Sequence, residues 1–254
     1  MKRNLLIWSV AVILTLALSY WQRKTGPSYP VRGTVRLAGA GDYQLERSHG
    51  GPGDAKVHIP CAPSVSGRIL FRRWGTNEPW TNTVMIRQEG ELVGFLPHQP
   101  PAGKMDYQVV LQNGPEMVWL NAGQTVTLRF RGDVPVWILA PHIAGIFLGF
   151  LFAARAGLGA LFGEDVRWAA VTAFAFISVG GMFLGPIVQK HAFEAYWTGW
   201  PIGPDLTDNK TLVAWLFWLV PLWSRRRVWT ILAALVTFAV FAIPHSWLSG
   251  NIAP

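Results

Sequence analysis

Hydrophobic positions along the chain follow two different rhythms. Over residues 5–21, 136–154, 168–188, 206–223 and 228–248 apolar residues follow one another with few charges. Runs of this length and composition are expected to form membrane-crossing helices. Between the first and second runs the pattern changes to period two. Val31, Val35 and Leu37 alternate with polar neighbours, as do Val57 and Ile59, Ile69 and Phe71, and Val84 and Ile86. Tyr107, Val109 and Leu111 continue the pattern, and Val126, Leu128 and Phe130 end it. Turn formers such as Gly50-Gly51-Pro52-Gly53 and Asn113-Gly114 separate these segments. Short alternating segments with regular turns predict an all-β sandwich of seven or eight strands, of immunoglobulin or fibronectin type III size. The expected fold class is a five-helix transmembrane bundle plus that sandwich. Its parts are an N-terminal signal anchor helix (1–24), a β-sandwich domain (25–133) and a four-helix membrane bundle (134–254) with an outer-face loop (189–210).

Composition supports the membrane reading. Half of the 254 residues are hydrophobic (51%), only 14% are charged, and there are 14 tryptophans, a residue that collects at lipid–water interfaces. The net charge of +8 is scattered and forms no basic stripe, so nucleic acid is not an expected partner. Cys61 is the single cysteine, which excludes an internal disulfide. The first run also carries a small-x-small triplet, Ala17-Leu18-Ser19. Either a cleaved signal peptide or an uncleaved anchor fits it, and the unbroken apolar stretch favours the anchor.

Cations set the expected orientation. Arg155, Arg167 and the triplet Arg225–Arg227 fall on one side of the later crossings, and the positive-inside rule makes that side cytoplasmic. The N-terminus is then cytoplasmic, and the β domain, the loop 189–210 and the C-terminus are periplasmic.

Candidate chemistry concentrates on the outer side. Pro141-His142 and Pro244-His245 are matching pairs, each with a proline that frees a backbone carbonyl. One reading makes His142 and His245 axial ligands of a haem b. Another makes them copper or zinc ligands together with His191 and a carboxylate from Asp205, Asp208 or Glu194. The plainer reading has the histidines satisfy freed carbonyls and hold bent helix ends together. Asp205 and Asp208 stand three apart at a helix start and equally fit a capping box. Glu194, Asn209 and Lys210 are read as structural residues of the outer loop, Lys210 pairing with Glu194 or with a carboxylate of its own turn. Trp197 and Trp200 are read as interfacial anchors. Gly180, Gly181 and Gly185 mark a small face for close helix packing. There is no GxSxG, P-loop or dinucleotide turn.

The runs RFRGDVPVWILAPHI, GPIVQKHAFEAYWTGWPIGPDLTDNKT and IPHSWL together resemble an uncharacterised family of bacterial inner-membrane proteins. The likeness spans roughly residues 67–248, and the WTGWPIGPDLTDNK segment is its specific part. It implies a periplasmic fibronectin type III-like domain on a membrane bundle, and no reaction. The family pattern has an aromatic residue where this chain has His191, which favours the His142/His245 pair over a three-histidine set. The expected role is a non-enzymatic accessory, assembly or sensing subunit, with the lipid bilayer and a membrane or periplasmic protein as partners. The alternative is a redox or metal-handling protein with its site at the outer leaflet.

Overall fold

The computed structural model describes residues 2–37 and 41–244; His245 lies outside them. The chain divides into two compact units, one formed by Pro27–Asp133 and the other by the segments on either side of it.

Among the described residues the helical unit has five helices: α1 (Lys2–Thr25), α2 (Val136–Leu161), α3 (Arg167–Phe193), α4 (Leu206–Ser224) and α5 (Arg227–Ala242). Three of them, α1, α2 and α3, are long and apolar enough to cross a membrane. Helix α5 is shorter, at 16 residues, and α4 opens on a polar turn holding Asp208 and Lys210. Successive helices alternate in direction. Asn4 near the start of α1 meets Arg155 late in α2, and His142 early in α2 meets Gly180 in the second half of α3. Lys210 in the first turn of α4 reaches Ile243, just beyond α5.

Small residues allow this bundle to close. Helix α3 widens into π-helical turns over Ile177–Leu184, and there it crosses α2 at glycine. A Cβ built on Gly145 or on Gly180 would come within 2.8 Å of the other's backbone, so only glycine permits the approach. Toward the other end the core consists of alanines of α2, α3 and α5 around the fully buried Trp218. Such packing replaces the hydrophobic drive that lipid does not supply.

The β unit has eleven strands among the described residues. A six-stranded sheet runs β3 (Ser48–Gly50), β11 (Val126–Arg131), β9 (Lys104–Asn113), β5 (Ser66–Arg73), β6 (Thr81–Val84), with β10 (Glu116–Trp119) also on β9. A three-stranded sheet runs β4 (Ala55–Pro60), β8 (Glu91–Leu96), β7 (Ile86–Gln88), and β1 (Val31–Thr34) pairs with β2 (Asp42–Leu45). One core unites them, including Val57, Ile59, Ile69, Tyr107, Leu111 and Phe130. Two features depart from the expected pattern. The β3–β11 pair is parallel. Val84 and Ile86 face outward, 61% and 49% exposed, while Met85 between them is buried. The reason is topological: β6 belongs to one sheet and β7 to the other, so the chain changes sheets at Met85 and the inward phase shifts by one residue.

Candidate functional site

The loop joining α3 to α4 holds most of the chemistry-bearing residues picked out from the sequence. Asp205 is the N-cap of α4, its Oδ1 accepting from the Thr207 and Asp208 amides at 2.8 and 3.1 Å. That half of the expected capping box forms. The other half does not. The Asp205 amide donates to the Thr198 carbonyl instead, and the Asp208 carboxylate turns into the loop. There its Oδ2 accepts from the amides of Thr198 and Gly199 at 2.7 and 3.0 Å. Asn209 Oδ1 accepts from the next amide, Trp200, at 2.6 Å.

Two adjacent side chains on one helical turn thus satisfy three successive loop amides. The fit explains the residue between them: a Cβ on Gly199 would lie 2.6 Å from the Asp208 Cβ. Gln189 on α3 completes the tie through the Thr198 hydroxyl at 2.6 Å. The Trp197 indole donates to the Trp200 carbonyl at 3.0 Å. Tyr196 and Trp200 remain exposed, as interfacial aromatics do. Glu194 takes a left-handed conformation that ends α3, and its carbonyl accepts from the Lys190 ammonium at 2.9 Å.

Among the described residues Lys210 forms no ion pair with Glu194 or Asp208, although Asp205 of its own turn lies near enough to attract it. It is buried, 2% exposed, and its ammonium donates to the Ile243 carbonyl. Two residues of α1 act alongside it. The Gln22 amide donates to the Phe241 carbonyl at 3.1 Å, and the Trp21 indole to the Ala242 carbonyl at 2.8 Å. The last turn of a helix leaves its carbonyls without partners, and Pro244 just after it cannot supply an amide donor. Three consecutive carbonyls at the end of α5 are therefore met by three side chains from two other helices. The cation among them also suits the negative end of the helix dipole.

His142 is half-buried, and its Nδ1 lies 2.8 Å from the Gly180 carbonyl. A carbonyl only accepts, so Nδ1 carries the proton. The carbonyl it satisfies belongs to the π-helical turn of α3, not to the turn broken by Pro141. His191 is exposed in the last turn of α3. The pairing of His142 with His245 falls outside the described residues. Among the described residues no group of three histidine, cysteine, aspartate or glutamate side chains could hold a metal ion. Asp205 and Asp208, the carboxylates considered for such a site, accept from backbone amides of their own turn and of the loop.

At the other end of the bundle lies a cluster that the sequence pattern missed. Arg155, 4% exposed, donates to Glu164 at 2.7 Å and to Asn4 Oδ1 at 3.0 Å. Its guanidinium lies 5.6 Å from the ring centroids of both Trp8 and Trp168. The sequence shows Arg155 only as a charge at the end of an apolar run. Its partners come from three separate segments, and nothing in the local pattern joins them.

No family model, curated protein or solved structure matches the chain.

Proposed function

We propose that the chain is an integral protein of the bacterial cytoplasmic membrane that anchors a partner-contacting β domain and carries out no reaction itself. In this reading all five helices cross the bilayer, and the β unit is an immunoglobulin- or fibronectin-like module on the periplasmic side. The same proposal places the chain in the bacterial inner-membrane family that its sequence resembles. The observation that carries it is the use made of the bundle's polar groups. Asp205, Asp208, Asn209 and Lys210 each bond to backbone at a helix end or in a loop that would otherwise lack a partner, and His142 bonds a carbonyl in the π-helical turn of α3. In lipid every such backbone group needs a partner within the protein. The polar residues thus serve helix ends and a loop, which is what a rigid anchor needs. Cation distribution supports the orientation: the end of the bundle carrying Arg3, Arg155, Arg167 and Arg225–Arg227 reads as cytoplasmic.

The test is the absorption spectrum and metal content of the detergent-purified protein, with a thermal melt to confirm folding. The expected preparation is colourless, metal-free and folded, and His142→Ala changes only its melting temperature. Stoichiometric haem, copper or zinc, lost in His142→Ala, would overturn the proposal in favour of a cofactor protein.

A further inference from the structure

The segment from Thr81 to Gln88 lies at two sheet edges at once. Among the described residues, strand β6 pairs only with β5 and ends the six-stranded sheet, and β7 pairs only with β8 and ends the three-stranded one. Every residue of the segment except Met85 is exposed. The ladder shows which backbone groups are open. The Met85 amide donates to the Gly67 carbonyl at 2.9 Å, which makes Gly67–Met85 a hydrogen-bonded pair. In the antiparallel register Thr83 and Thr81 then also point their amides at β5. Asn82 and Val84, the alternate residues, point theirs away from the sheet.

Natural edges are usually guarded by lysine, proline, a bulge or an inward charge. Here Pro79 stands ahead of β6 and the strands are short, four and three residues, but the edge itself carries no lysine, proline or inward charge. Its one charged side chain, Arg87, is committed to the carbonyls of Cys61, Ala62, Val65 and Gly90. Apolar Val84 and Ile86 remain on the surface.

The face beside this edge is cationic. Ile69, Phe71, Met105, Tyr107, Leu128 and Phe130 point into the core, so their neighbours along each strand point out. On that outer face stand Arg68 and Arg72 of β5, Lys104 of β9, and Arg129 and Arg131 of β11, with Asp106 as its carboxylate. Arg68 sits directly opposite Val84.

We infer that the edge Thr81–Gln88 takes up an extended, acidic segment of a partner protein by strand addition. The inference rests on the partner-contact reading above and names the surface and the chemistry of the partner. Open amides and carbonyls at Asn82 and Val84 specify an extended backbone. An added strand lies about 10 Å from β5, two strand spacings away, so its glutamates come within reach of Arg68. Charge also argues against a second copy of this chain. Two-fold edge pairing merges the same face of both copies into one surface, which would set two cationic faces side by side.

The test uses the full chain in detergent and a fluorescein-labelled ten-residue peptide of alternating glutamate and valine, followed by anisotropy. Saturable binding is expected, weakening with salt and absent for the lysine–valine counterpart. Val84→Pro removes the outward amide without touching the β5 ladder and is expected to weaken binding about tenfold, the worth of one hydrogen bond. Val84→Thr keeps the amide and should bind as the wild type does, and Arg68→Glu should bind more weakly. Equal binding of both peptides, or no effect of Val84→Pro in a variant that melts like the wild type, overturns strand addition. A dimer by light scattering that Val84→Pro dissolves overturns it in favour of self-pairing. If peptide binding fails in a colourless, metal-free, folded preparation, strand addition alone is lost and the anchor reading stands.

Discussion

Asp208 and Asn209 show how much one helical turn can hold. Between them they accept from the amides of Thr198, Gly199 and Trp200, and Asp208 is itself buried. Removing the carboxylate leaves two loop amides without an acceptor, and bonds to a charged acceptor are worth about 1.5–3 kcal/mol each. Asp208→Ala is therefore expected to destabilise the bundle by about 3 kcal/mol in chemical denaturation, with Asp208→Asn losing less because it keeps an oxygen. Gly199→Ala should lose a comparable amount by a different route, the clash with the Asp208 Cβ. Part of this was legible in the sequence: a Ser/Thr/Asp/Asn-type start to α4 pointed to Asp205 as the cap. The turn of Asp208 into the loop was not, because its partners lie nine and ten residues away in a segment without regular structure. Lys210 was less legible still. Its partner, the Ile243 carbonyl, is a backbone atom just past the end of another helix, and side-chain types cannot reveal it.

At the scale of elements, two contacts govern how the helices meet. Gly180 lets α3 press against α2 at Gly145, and Gly180→Leu is expected to force the two apart and lower the melting temperature markedly. Gly185→Ala, with open van der Waals distance to His142, should be tolerated. The buried Arg155–Glu164 pair is the second contact. Breaking one partner of such a pair strands the other charge, at a cost of about 3–5 kcal/mol. Glu164→Gln should show a loss of that order, and a double-mutant cycle with Arg155→Met should recover part of it. In the β unit, alternation at Val57/Ile59, Ile69/Phe71, Tyr107/Leu111 and Val126/Phe130 correctly marked the inward residues, because each of these strands stays within one sheet. It misplaced Val84 and Ile86, since one segment there serves two sheets and Met85 is the buried residue. Period two reports which residues share a face, but not where a strand changes partner.

At the scale of the whole molecule, alternating helix directions put Trp21, Trp137, Tyr196 and Trp200 toward one end of the bundle and Trp168 and Trp223 toward the other, all exposed. Aromatic residues at both ends of an apolar bundle match the two interfaces of a bilayer. The topology proposed above embeds the bundle in a bilayer, with the β domain periplasmic and the arginine-rich helix ends cytoplasmic. Membrane-impermeant maleimide labelling of intact spheroplasts tests it directly. In a Cys61→Ser background, Glu116→Cys in the β domain should be labelled without lysis. Trp223→Cys at the end of α4 should be labelled only after it. The reverse pattern, or labelling of both positions before lysis, would contradict the account.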